Sequence, residues 1–343
     1  MYEVSSGKKR IKEFDLLRTF CAIVIILYHF SVHIGGGYSF LWLGNTNAKW
    51  GLVAVTVFFM LSGCLLYYNH DEVHKDEVKE FYKKRWKQIF PSFYLAYVFV
   101  LLIQIFRHGN EQFAGKRPWT FIFTLTGMDG YLTAAIPNYY ILGEWFLGAI
   151  IILYIIYPLL CKLVNLAPII FAVIASALFL VTFNFEMLNQ ESFRNIFACI
   201  FSFAVGIYVM KYRLYRSKAF NWFCLASFIT IAFLPININE NILNHVEGIL
   251  LFFGLFAIGS IIMNGGICSR IIAFISGISY EIFLLQHAAV SMTIKVISPS
   301  QYWKKTILVI LIIIMTIISA WILMNIRKIL VEKIGKGLAR HSK

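Results

Sequence analysis

Ten runs of apolar residues, most of them long enough to cross a lipid bilayer, leave this chain few ways to fold. They lie at roughly 14–34, 51–69, 89–106, 145–161, 168–183, 194–210, 219–236, 246–263, 272–296 and 306–326. A spanning helix needs about 20 mostly apolar residues for a hydrocarbon core about 30 Å thick, and within lipid every backbone polar group must be bonded internally. The fold class expected is therefore all-α, a polytopic membrane bundle of about ten transmembrane helices. Composition agrees: 59% of the residues are hydrophobic and 14% charged, against about 25% charged in soluble domains. A cytosolic enzyme, a disulfide scaffold and a disordered tail are excluded. Ten spans consume about 200 of the 343 residues at about 20 each, which leaves no room for a separate soluble catalytic domain. The expectation is one domain over residues 1–343, with tails at 1–13 and 327–343 around a bundle at 14–326.

The formal charge of +14 would suggest nucleic acid in a soluble protein. In a membrane protein the location of the cations decides. The N-terminal tail, the loops after helices 2, 4, 6 and 8, and the C-terminal tail hold 22 of the 31 Lys and Arg. Cytoplasmic loops are the basic ones, so both termini are expected in the cytoplasm, and no nucleic-acid partner is expected. The first run is followed by no small-residue cleavage site and is read as a retained helix. The six cysteines are scattered without a CxxC pair; they read as small core residues, and no metal site is expected. The longest connection, 107–144, contains a short apolar stretch from Trp119 to Thr126, read as a re-entrant or interfacial segment on the outer face.

Ionisable side chains inside a membrane are costly and mark function. The first helix carries Asp15, Arg18 and His29. Arg18 and His29 are eleven residues apart, about 20° beyond three full turns, so they share a face about 16 Å apart along the axis. Arg18 falls at the cytoplasmic mouth and His29 past the bilayer centre, a stripe that suits an extended substrate with an anionic end and a reactive end. The loop after helix 2 ends in Lys83, Lys84, Arg85 and Lys87 before Pro91, a cation cluster able to hold phosphates. Glu144 precedes Trp145 at the outer end of the fourth span. Glu281 and His287, six residues apart in the ninth span, project from different faces.

Five blocks in order resemble the acyltransferase-3 family of integral membrane acyltransferases. FDLLRTFCAIVIILYHF carries its Arg, ten residues, His pattern as Arg18 and His29. VFFMLSGCLLY is similar to its FF-x-x-SG element, with Ser62 and Gly63. FYKKRWKQIFPSFY is similar to its basic approach to helix 3. EWFLGAIIILYIIYP matches through Trp145, Phe146, Leu147, Tyr154 and Pro158, and ISYEIFLLQH through Ser279, Tyr280 and His287. One position departs: many members have two arginines three residues apart before the proline, whereas this chain has Arg85 and then Gln88. The chain resembles the stand-alone form, without a C-terminal esterase-like domain.

The resemblance implies an O-acetyltransferase of the bacterial plasma membrane that uses acetyl-CoA as donor. Its expected acceptor is a surface glycan or lipid-linked oligosaccharide hydroxyl, and membrane lipids surround it. His29 and Glu144 are the catalytic candidates, His29 as the base and Glu144 with Trp145 facing the acceptor. Arg18, Lys84 and Arg85 are expected to hold the donor phosphates, with Asp15, Ser62, Trp145, Glu281 and His287 as substrate contacts or supports. The rival expectation is a transporter or flippase of acyl groups or lipid-linked glycan, in which the same charges line a path.

Overall fold

The computed structural model describes residues 8–34, 49–109, 113–142, 145–183, 191–296 and 302–341, and every regular element among them is helical. The helices are α1 (Glu13–Ile34), α2 (Trp50–Asn69), α3 (Val78–His108), α4 (Phe121–Leu125), α5 (Asp129–Leu132), α6 (Trp145–Leu166), α7 (Pro168–Val181), α8 (Ile196–Lys211), α9 (Lys218–Phe233), α10 (Glu240–Ile262), α11 (Gly266–Gly277), α12 (Ser279–Val296) and α13 (Tyr302–His341). Their starts follow local chemistry. Asn195, Ser217 and Asn239 cap α8, α9 and α10 by accepting backbone N–H groups, and α7 opens on Pro168.

Each of the ten apolar runs becomes a helix or, once, a helix pair. By length and composition α1, α2, α3, α6, α10 and α13 qualify as membrane spans, and α11 with α12 makes a seventh if the bent pair is one span. The helices α7, α8 and α9, at 14, 16 and 16 residues, are shorter than a perpendicular crossing of about 20 residues. On this measure the described residues hold six or seven spans, and the expected ten are not reached by length and composition alone.

Two helices differ from the sequence reading. Pro91 does not open α3 but lies inside it, with the basic stretch already helical upstream. Phe81, Arg85, Ile89 and Phe93 are all buried. Their spacing of four places them on one face, and packing of that face outweighs the one backbone hydrogen bond that proline removes. The run at 272–296 is broken at Ile278, where α11 and α12 meet at 71°. There Ser279 donates its hydroxyl to the Ser276 carbonyl at 2.9 Å, a local bond that competes with helix continuation.

The bundle is organised around α2, the most enclosed of the candidate spans. It meets α8 backbone to backbone: a Cβ at Gly63 would fall on the Phe203 carbonyl, and one at Gly206 on the Met60 carbonyl. Small residues permit this approach between membrane helices, and the Cys64 thiol bridges it by donating to the Gly206 carbonyl at 3.0 Å. Within the 107–144 connection, α4 and α5 lie against the bundle, with the Tyr94 hydroxyl donating to the Leu125 carbonyl at 2.6 Å. Trp119, Phe121, Ile122 and Leu125 are exposed on its outer side, an apolar face suited to an interface.

Candidate active site

A cavity of about 580 Å³ opens between α1, α2, α3, α6, α11, α12 and α13, within the size range of ligand pockets. Four arginines line it: Arg10 just before α1, Arg18 on α1, Arg270 on α11 and Arg327 on α13. Glu281 is the one acidic residue in the described lining, so the chamber carries an excess of positive charge. Ser62, Gln88, Tyr154, Ser279 and Tyr280 add neutral polar groups. Arg10 and Arg327, from the first and the last described segments of the chain, share this chamber.

Buried carboxylates hold two of these arginines. Asp15, 3% exposed, accepts from Arg10 Nη2 at 2.7 Å and from the Ser276 hydroxyl at 2.8 Å. Glu281, 2% exposed, accepts from the Ser92 hydroxyl at 2.8 Å and faces Arg327 Nε at 3.7 Å. In each case a serine and an arginine satisfy a charge that burial would otherwise make costly. The carboxylate in turn restricts the guanidinium to the cavity wall.

The histidines form a separate cluster. The ring centroids of His29 and His287 are 4.9 Å apart, and those of His33 and His287 are also 4.9 Å apart. His33 Nδ1 lies 2.9 Å from the His29 carbonyl oxygen; in neutral His33 this nitrogen is the donor, which leaves Nε2 with the lone pair. The buried Nδ1 of His287 has no hydrogen-bond partner among the described residues. Neither His29 nor His287 lines the cavity. Glu281 faces the cavity and His287 faces His29, in agreement with their expected different faces.

The remaining expected residues divide. Arg18, Ser62 and Glu281 line the cavity, and Asp15 supports it through Arg10 and Ser276. Lys84 is exposed, and Lys84 and Arg85 stand outside the lining. Arg85 is buried with its guanidinium over the rings of Phe81 and Tyr154, at 5.5 and 6.0 Å, so it steadies Tyr154 and, through it, the wall. Both cations act on His70 just beyond α2, whose pKa is pushed down to about 4, chiefly by burial and further by Arg85 and Lys84. Trp145 packs beneath the Arg194 guanidinium at 5.7 Å. Glu144 lies outside the described residues. Among the described residues no group of His, Cys, Asp and Glu is arranged to hold a metal ion.

Sequence reasoning missed Arg10, Arg270, Arg327 and His33 as site residues. The arginines had been counted only as basic loop or tail charge. Asp15 and Glu281 carried the missing signal, since a carboxylate in an apolar helix requires a cation nearby.

A family model described as an acyltransferase domain matches residues 11–325; the chain belongs to the acyltransferase-3 family. The apolar helices and this family together make it a multi-pass membrane protein of acyltransferase type. A similar curated protein is the peptidoglycan O-acetyltransferase OatA of Listeria monocytogenes, 28% identical over 106 residues, which are 30% of this chain and 15% of that protein. The chain thus matches only a small part of that relative's length. No solved structure matches.

Proposed function

We propose that this protein is a membrane O-acetyltransferase that takes an acetyl group from acetyl-CoA and places it on a hydroxyl of a surface polysaccharide or its lipid-linked precursor. The observation that carries this reading is a chamber whose described lining holds four arginines and one carboxylate, on helices that also carry the paired His29 and His287. A guanidinium binds phosphate in a forked, charge-assisted geometry, and a coenzyme A donor presents several phosphates. The arginine end of the bundle is taken as cytoplasmic, where the donor is made. The whole chain works as one unit, and α7, α8 and α9 complete ten crossings of a bacterial plasma membrane.

The reaction joins the acceptor oxygen to the acetyl carbonyl carbon and breaks the carbon–sulfur bond of the thioester. A ring nitrogen of His29 removes the hydroxyl proton as the oxygen attacks and returns it to the departing coenzyme A sulfur. His287, packed edge-on against His29, fixes the orientation of that ring. Trp145 and Glu144 serve the acceptor.

The test is coenzyme A release by purified protein in nanodiscs supplied with acetyl-CoA and crude cell-wall glycan. Glycan-dependent release that is lost in His29→Ala supports the reading. Movement of lipid-linked glycan across the bilayer with no coenzyme A released would instead establish a transporter.

A further inference from the structure

The cavity ends in an aromatic collar. On each of α2, α6 and α12 the lining residue farthest from the arginine end is a phenylalanine: Phe58, Phe146 and Phe283. Phe146 packs on both of the others, lying 5.9 Å from Phe58 and 5.4 Å from Phe283 between ring centroids. Phe58 also packs against the cluster that contains Ala22 and Ile26, the stretch of α1 between Arg18 and His29. Along α12 the collar residue Phe283 stands between Glu281 on the cavity wall and His287 beside His29. His287 follows Phe283 by four residues and so stands on the same face of α12, about 6 Å farther along.

We infer that Phe58, Phe146 and Phe283 form a size filter that sets which acyl group reaches the histidines. The inference rests on the acyltransferase reading above. An apolar ring cannot hold the phosphates, which stay with the arginines, but it can accept the uncharged thioester arm. The filter excludes water from the histidine side and limits the acyl chain by the space the three rings leave. The transferred group itself must pass the tightest point, so selectivity falls on acyl length and not on the nucleotide end of the donor.

The experiment measures kcat/KM for acetyl-, propionyl-, butyryl- and hexanoyl-CoA in the coenzyme A release assay. Phe146→Ala and Phe283→Ala should each raise the butyryl-to-acetyl ratio by about tenfold or more, the scale on which a pocket discriminates one or two methylenes. Inhibition by free coenzyme A should stay as in the wild type. Phe146→Leu and Phe283→Leu provide milder variants if the alanine forms do not fold. Phe179→Ala is the control, because Phe179 is buried against Phe201 at 4.6 Å and does not line the cavity; it should leave the ratio as in the wild type. An unchanged ratio in active collar variants, or the same change in Phe179→Ala, overturns the filter alone. A wild type that releases coenzyme A from none of the donors overturns the acyltransferase reading and the filter together.

Discussion

Replacing Arg327 by Gln separates its effect on the fold from its effect on the donor. Arg327 Nε stands 3.7 Å from a Glu281 carboxylate whose side chain is 3% exposed, while the Arg327 side chain is 20% exposed. Removing one partner of a fully buried pair costs about 3–5 kcal/mol. Here the contact is long, the guanidinium is partly wet and Ser92 remains bonded to Glu281, so the loss of stability should be nearer about 1–2 kcal/mol. A charge-assisted bond to phosphate contributes about 1.5–3 kcal/mol, and at the lower end its loss raises the acetyl-CoA KM about tenfold. In Glu281→Gln the amide oxygen still accepts from Ser92 and can still face the guanidinium, so its KM should stay within about threefold of wild type. The double variant should recover thermal stability relative to Arg327→Gln, because no unpaired carboxylate remains, yet keep the high KM. Both quantities are measured on detergent-solubilised protein, by thermal melting and by coenzyme A release over a donor titration. If Arg327→Gln keeps the wild-type KM, or the double variant restores it, Arg327 does not contact the donor and the chamber has been misassigned.

Further outcomes are expected at other positions. His29→Ala should fold and insert normally but lose at least about a hundredfold in kcat, the lower end of what a general base supplies; more than a tenth of wild-type activity in the same assay would exclude it as the base. Gln88→Arg adds a fifth guanidinium to a cavity wall that Gln88 already lines, and should lower the acetyl-CoA KM a few-fold with little change in kcat; an unchanged KM would show that position 88 is remote from the donor phosphates. Asp129 is buried in the 107–144 connection, and burial raises its pKa from 3.8 to about 6, against the opposing bonds from Gly130 N–H and the Thr124 hydroxyl. The folded form thus holds the proton more tightly than the unfolded chain. Its contribution to stability is complete below about pH 4 and is lost as pH rises through about 6. Proteolysis of the connection should therefore speed up over that interval in the wild type and stay flat in Asp129→Asn; equal profiles would refute the assignment.

The helices were legible because lipid leaves a sequence little freedom: an apolar run must bond its own backbone, and the helix is the local way to do so. Legibility failed where a tertiary contact decided the outcome. The stretch from Phe81 to Gln88 reads as a polar loop ahead of a proline until the surface that buries Phe81 and Arg85 is known. The break at Ile278 hangs on one serine bond in an otherwise continuous apolar run. Arg18 and His29 could be related from sequence because both lie on one helix of 3.6 residues per turn, but of the two only Arg18 lines the cavity. Arg10, Arg270 and Arg327 come from three separate segments, and nothing in a linear chain says which segments become neighbours. The general excess of cations in cytoplasmic loops already accounted for each of them singly, which hid the chamber they make together.

The cavity also orders events in time. Two of its arginines, Arg10 and Arg327, are more than 300 residues apart, and the Ser276–Asp15 bond that steadies the first of them closes a separation of 261 residues. At ribosomal speeds of about 5–20 residues per second, the first arginine waits on the order of 15–60 s for the last. Only in the last part of that interval, the 46 residues from Glu281 to Arg327 or about 2–9 s, does Glu281 stand without its cation. A chain halted before α13 would lack Arg327 from the cavity wall and keep a buried carboxylate without its cation, which favours reopening of the bundle. Completion of the last helix thus gives Glu281 its cation and supplies the last arginine of the cavity wall in one step.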